Sequence, residues 1–201
     1  YTYGTNGLKV DIPRIVNYID KEIMKGDIAE AKLFNPDFII ANMHWGLEYE
    51  RIPSREQREL ADWLLRQGVD LVIGSHPHVV QPMELRRGKE GVTDRLVVYS
   101  LGNFISNMSR EHTDGGVMVK VVLGRKGLRR YIVSAQYSLI YSSRYKNEQG
   151  KEDIRVVPAA SWLGKNQNSS FSVDSALIKY VNNTRLFLKG NNKEVEEYIF
   201  E

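Results

Sequence analysis

The sequence predicts an α/β fold in which parallel strands alternate with helices and an antiparallel hairpin follows. Three observations predict it. Two short apolar runs, Phe38-Ile39-Ile40-Ala41 and Val69 to Ile73, are continuous rather than alternating. A helix with a readable start lies between them, and a Gly-bounded pair of strand-like segments comes later. A bounded apolar run without alternation reads as a strand buried on both faces, as parallel strands are.

Each element has its own justification. Arg14 to Tyr18 reads as a short strand. A helix follows, with Asp27-Ile28-Ala29-Glu30 as a capping-box pattern for its second half; Ile28, Ala31 and Phe34 give it one buried face, and Pro36 ends it. Asp37 to Met43 is the first buried strand. Pro53 and the capping box Ser54-Arg55-Glu56-Gln57 open a second helix that turns Leu60, Ala61, Leu64 and Leu65 inward and stops at Gly68. Val69 to Ile73 is the second buried strand. Two strands joined through a helix run parallel with a right-handed crossover, so their carboxyl ends open on one sheet edge.

Further along, Met83 to Arg86 and Arg95 to Ser100 read as strands. Gly116 to Leu123 and Leu128 to Tyr137 form a hairpin about Gly124-Arg125-Lys126-Gly127. The chain turns polar near Tyr141, which divides it into a domain over residues 1–140 and an extension over 141–201. That extension reads as a polar loop to Gln149, a loop-like stretch at Trp162 to Ser172, a helix at Val173 to Lys189 and a short final helix at Glu194 to Phe200.

Composition narrows the function classes. The 201 residues are 42% hydrophobic and 26% charged, as in a globular domain, and contain no cysteine, which removes thiolate ligands and a cysteine nucleophile. A net charge of +3, with basic and acidic residues interspersed, offers no nucleic-acid face, so no nucleic acid is expected as a partner. No phosphate-binding Gly-rich loop of the Walker type is present. Ser75 and His76 are adjacent on a turn, which rules them out as a hydrogen-bonded nucleophile and base. The opening Tyr1-Thr2-Tyr3-Gly4-Thr5-Asn6-Gly7 reads as a loop inside a longer domain.

Histidines carry the chemistry. Gly74-Ser75-His76-Pro77-His78 sets two imidazoles one residue apart on a turn after a buried strand, where they can enter one pocket. Neutral imidazole suits zinc, manganese, iron or nickel, although the same pattern also occurs in exposed loops. His44 follows the first strand at the same edge, with Glu48 four residues on, so three of the four histidines converge by topology. Asn103, after Tyr99-Ser100-Leu101-Gly102, falls near that edge either as a contact behind the ligands or as a simple turn residue. His112 reads as a solvated surface residue. Arg51, Arg55 and Arg58 read as a solvated helix face, with Arg51 the candidate for contact with an anionic substrate.

These motifs resemble a known family. His44-Trp45-Gly46 with Glu48-Tyr49, then Gly74-Ser75-His76-Pro77-His78-Val79 with Gln81-Pro82, then Tyr99-Ser100-Leu101-Gly102-Asn103-Phe104 are similar in order and spacing to the CapA (PGA-cap) family, which is tied to bacterial capsule and poly-gamma-glutamate synthesis. The resemblance covers roughly residues 1 to 140 and matches the family's carboxyl-terminal portion. It implies a calcineurin-like metallophosphoesterase fold, here a partial four-layer αββα sandwich of mixed sheets flanked by helices. It implies a metal-dependent phosphoesterase using a divalent transition metal (Mn, Zn or Fe), with His44 and His76 on one ion and His78 on the other. Two ions belong to the complete domain. The family's earlier aspartate and Asn-His motifs precede Tyr1, so the ligand set within this chain is incomplete for two. Expected partners are an anionic polymer or phosphorylated substrate, the missing amino-terminal half or a second copy, and other capsule-synthesis components. The expected location is extracytoplasmic, in the cell envelope, on a parent that is free or membrane-anchored. The competing expectation is a non-catalytic polymer-binding or assembly module with the same fold.

Overall fold

A helix starts where a side chain can satisfy its free amides. Asp20 accepts hydrogen bonds from the backbone N–H groups of Glu22 and Ile23, and helix α1 spans Lys21–Leu33 in the computed structural model. The structure describes all residues except 6, 8, 11–15, 90–92, 167–174, 200 and 201. Asp27, expected to cap a second half-helix, lies inside α1 and accepts the phenol hydrogen of Tyr1 at 2.6 Å. Met24 and Ile28 form the buried face of α1, and Phe34 is 81% exposed, so the apolar stripe lies one turn earlier than the spacing suggested. The strand expected at Arg14 to Tyr18 falls largely outside the described residues; Tyr18 makes a single bridge to Thr2.

The strand–helix–strand unit forms as the sequence predicts. Strand β1 is Ile40–His44, α2 is Arg55–Arg66 and β2 is Leu71–Ser75. Ser54 accepts from the Gln57 amide while the Gln57 side chain accepts from the Ser54 N–H, so both bonds of the capping box are made. Strands β1 and β2 pair in parallel, Ile40 opposite Leu71 through His44 opposite Ser75. Strand β4 (Arg95–Val98) pairs in parallel with β2, and β3 (Met83–Arg86) closes the sheet antiparallel to β4, giving the order β1-β2-β4-β3. Buried Asp70 pins two members together: one carboxylate oxygen accepts the Ile39 N–H at 2.8 Å, and the other takes the Arg95 guanidinium at 2.7 Å.

The second sheet is larger than its sequence suggests. Strands β5 (Gly115–Lys126) and β6 (Arg129–Lys146) form the expected hairpin, but β6 continues to Lys146 and pairs with β7 (Glu152–Pro158). The polar loop expected from Tyr141 is therefore corrected to strand over its first six residues, Tyr141 to Lys146. Polar composition misleads there because an antiparallel strand with a solvated face alternates rather than running apolar. Helix α3 (Ala159–Asn166) replaces part of the loop expected at Trp162 to Ser172, whose remainder lies outside the described residues. Helix α4 (Ser175–Asn191) matches the expected helix. The final helix expected at Glu194 to Phe200 is instead a two-residue strand, β8 (Glu196–Glu197), paired in parallel with β6 and held by the Arg185 guanidinium on Glu197 at 2.8 and 2.9 Å.

Alternation along the first sheet divides the core in two. Val72, Val97 and Tyr99 face α1 and α2, packing with Met24, Ala61 and Leu64. Leu71, Leu96 and Val98 face the other way, onto Val117, Ile132 and Leu139 of the second sheet and onto Leu177, Val181 and Leu188 of α4. The far side of β5 and β6 shows Met118 44% and Val133 52% exposed. Among the described residues the layers are thus helix, sheet, sheet, a partial sandwich.

The capping box gives a direct test of how α2 is anchored. Ser54→Ala is expected to lower stability by about 1 kcal/mol, read as a lower urea midpoint at unchanged slope. An unchanged midpoint would mean that the cap contributes nothing.

Candidate metal centre

In a parallel unit the loops after both strands meet at one edge. His44 ends β1 opposite Ser75, so the next residue, His76, lies beside it. Their ring centres are 4.6 Å apart, and those of His76 and His78 are 6.1 Å apart. Ligand atoms of Glu48, His76 and His78 lie within 4.8 Å of one another, close enough to share one ion. His44 stands against His76 but outside that set of three.

Local backbone geometry holds these side chains up. A Cβ at Gly74 would lie 2.0 Å from the Tyr99 carbonyl oxygen and 2.5 Å from Trp45 Nε1, so no larger residue fits before the histidine turn. Trp45, 2% exposed, donates its indole N–H to Tyr99 O at 2.9 Å and belongs to the helix-facing core. Tyr49 N–H donates to Pro77 O at 2.7 Å and ties the Glu48 loop to the histidine turn. Tyr49 (φ 68), His76 (φ 104) and His78 (φ 61) all have left-handed backbones. Such conformations cost about 1–3 kcal/mol each in side-chain-bearing residues and persist where the surroundings enforce them.

Hydrogen bonding fixes the state of His78. Asn103 donates its Nδ2 to Thr113 O at 2.9 Å, which turns Oδ1 toward His78 Nδ1 at 3.0 Å. Nδ1 therefore carries the proton and donates, leaving Nε2 with a free lone pair, the arrangement common behind metal-ligating histidines. Asn103, expected near this edge either behind the histidines or as a simple turn residue, thus hydrogen-bonds the His78 ring. His76 Nδ1 is buried without a hydrogen-bond partner. A shielded, unpaired imidazole nitrogen is rare unless something absent pairs with it, and it fits a metal ligand.

Charge favours the ligating form. Burial lowers the pKa of His76, and the neighbouring His44 and His78 lower it further against the pull of Glu48. His44 is lowered by burial, by His78 and by the terminal amino group. Both rings are neutral near pH 7, as metal binding requires.

Sequence reasoning missed some neighbours. The Tyr3 ring lies parallel to His44, with centres 6.0 Å apart, and 4.5 Å from His76. It gets there because Thr2 bridges His44 and Tyr3 N–H donates to His44 O, a pairing with no sequence signal. Tyr49 stacks on His78 at 6.0 Å, and the Arg110 guanidinium lies 4.0 Å above Tyr49. Arg51 departs from the expected solvated helix face: it precedes α2, and its guanidinium packs 3.8 Å over the Phe187 ring of α4. Arg55 does lie on the exposed face, paired with Glu59 at 2.7 Å. His112 is half-buried rather than fully solvated.

The sequence model described as bacterial capsule synthesis protein PGA_cap matches residues 2–108, just over half of the chain. The chain belongs to this family. It is also 35% identical over 115 residues to the PGA biosynthesis protein CapA of Bacillus subtilis (strain 168), covering 57% of this chain and 28% of that protein. It is 35% identical over 107 residues to the capsule biosynthesis protein CapA of Bacillus anthracis, covering 53% of this chain and 24% of that protein. The match thus spans about a quarter of each relative's length. In this PGA_cap chain the matched segment contains Tyr3, His44, Glu48, His76, His78 and Asn103, and excludes β5 onward. No helix among the described residues is long and apolar enough to cross a membrane.

The depressed histidine pKa values set the direction of acid sensitivity. As pH falls below about 6.5, unfolded histidines take up protons before His44 and His76 do. Their contribution to stability is therefore complete above that pH and lost as pH drops through the folded values. The urea midpoint is expected to fall more steeply between about pH 7 and about pH 5 in the natural chain than in His76→Asn. Parallel profiles would remove burial as the cause.

Proposed function

We propose that this chain is the carboxyl-terminal part of a metal-dependent phosphoesterase domain in a capsule or poly-gamma-glutamate synthesis protein. The observation that carries the reading is the convergence of Glu48, His76 and His78 at a parallel-sheet edge, with a buried imidazole nitrogen left unpaired. Those three residues would hold a divalent transition ion (Mn, Zn or Fe), and His44, beside His76, is the next donor available to a second. A bound ion at this place supplies Lewis-acid polarisation of a phosphate oxygen. Asn103 keeps the His78 proton on Nδ1, and burial keeps His44 and His76 neutral. Residues upstream of Tyr1 complete the dinuclear set in this reading, and the substrate is a phosphorylated compound or an anionic polymer. The family's role in capsule synthesis supports an extracytoplasmic, cell-envelope location with other capsule-synthesis components as partners.

Metal analysis by plasma mass spectrometry tests the reading. The chain as purified is expected to carry a transition metal that the His76→Ala/His78→Ala double variant lacks. Asn103→Ala should weaken metal affinity about 10- to 100-fold while leaving the fold intact. Metal-dependent phosphatase activity is expected of a longer protein with the upstream region restored. Absence of metal from that longer protein, together with polymer binding unchanged in the double variant, would favour a non-catalytic envelope module instead.

A further inference from the structure

The end of the first sheet away from the histidines carries a cationic cleft. Strand β3 ends at Arg86 opposite Arg95, the first residue of β4, so Arg87 and Asp94 leave the sheet together at the edge opposite the histidine turn. Both reach β6 at Ile132, where no strand among the described residues covers its outer side. Arg87 donates to Ile132 O at 2.7 Å, and one Asp94 oxygen accepts the Ile132 N–H at 3.1 Å. The same oxygen takes Arg87 at 3.1 Å, and the other accepts the Gly88 N–H at 2.9 Å. Burial works against the Asp94 charge, yet the two N–H groups and Arg87 hold its carboxyl below the usual range. Arg87 also donates its Nε to Glu194 at 3.1 Å, which leaves its Nη2 without a hydrogen bond among the described residues.

Two more cations share this space. Lys126 and Arg129 stand directly opposite each other at the end of the β5–β6 hairpin, and both line a cleft of about 510 Å³ with Arg87, Asp94 and Tyr131. Like charges placed opposite one another on a ladder repel. The next rung, Arg125 opposite Arg130, lies on the other face of the hairpin and is satisfied there. Arg125 pairs with Asp37 at 3.1 Å, and Arg130 donates to the Pro36 and Asp37 carbonyls at 2.9 and 2.6 Å. The Lys126 and Arg129 side chains have no acidic partner among the described residues. Asp94 and Glu194 match the charge of Arg87, so Lys126 and Arg129 are the surplus. Ammonium and guanidinium groups around one space suit oxyanions. A volume of this size fits a ligand of several groups rather than a lone ion.

We infer that the cleft between β6 and the β3–β4 turn binds a ligand bearing two or more oxyanion groups, carboxylate or phosphate, with Lys126 and Arg129 as its main contacts. It lies at the opposite sheet edge from the histidines and does not depend on whether they hold an ion. Calorimetric titration of the metal-free 201-residue chain at low ionic strength tests it with two probes, a short glutamate oligomer and tripolyphosphate. Binding of at least one is expected, and the tighter one identifies the source of the oxyanions. Affinity should fall as salt is added, because the contacts are exposed charges. Lys126→Gln/Arg129→Gln should weaken binding about tenfold or more, the loss expected when charge-assisted contacts are removed. Both positions are exposed, so the fold is not at risk, and circular dichroism melts check this. Lys25→Gln/Lys189→Gln removes the same charge from exposed positions elsewhere and should leave affinity unchanged. No binding of either probe at millimolar concentration would overturn the cleft as a site. Equal weakening in the two double variants would also overturn it, by making net charge the cause. Affinity lost only in His76→Ala/His78→Ala would do so too, by placing the anion on the histidines.

Discussion

The register between β1 and β2 is the constraint on which the rest of the site depends. With His44 opposite Ser75, the last side chain of one strand and the first of the following turn arrive side by side. A slip of one residue would invert the side-chain alternation of β1, moving Met43 out of the helix-facing core and His44 into it. Asp70 guards against that slip from the far end of the strands, because its carboxylate binds both the Ile39 amide and Arg95. A buried carboxylate with both oxygens occupied is costly to leave half-paired, so the register that satisfies it is strongly preferred.

The second determinant is the close approach at Gly74. Because Tyr99 O and Trp45 Nε1 occupy the space of a side chain there, β2 runs hard against its neighbours and then reverses sharply. His76 and His78 adopt left-handed backbones on that reversal, and Pro77 between them accepts the Tyr49 amide. The imidazoles are held before any ligand arrives. If the histidines bind an ion as proposed, such preorganisation would exchange some folding stability for a smaller loss of freedom on binding.

Much of this was legible in the sequence, for identifiable reasons. The capping box at Ser54 and Gln57, the apolar runs around Ile40 and Val72, and the spacing of His44, His76 and His78 are local signals, and local signals fixed the parallel unit. Asn103 was legible only as a neighbour of the edge; that its amide sets the His78 tautomer depends on Thr113, ten residues away. Tyr3 and Arg110 left no trace because long-range pairing and stacking bring them in. The second sheet was underestimated because the end of β6 and most of β7 carry exposed polar residues, among them Arg144, Lys146, Glu152 and Arg155, which read as loop. The final segment was misassigned because the Arg185–Glu197 pair and the β6 edge override a helical composition.

The chain's last elements bear on how the molecule is made. Asn192 accepts the Met83 N–H at 2.9 Å, Lys193 exchanges backbone hydrogen bonds with Met83 and Leu85, and Leu188 belongs to the core beneath them. These contacts join residues more than one hundred positions apart, and closing such a long loop is slow. During synthesis the parallel unit with its histidines leaves the ribosome well before α4 does, so β3 and the inter-sheet core stay open for as long as the remainder takes to follow. The interval before that late closure is when the chain is most exposed to misassociation.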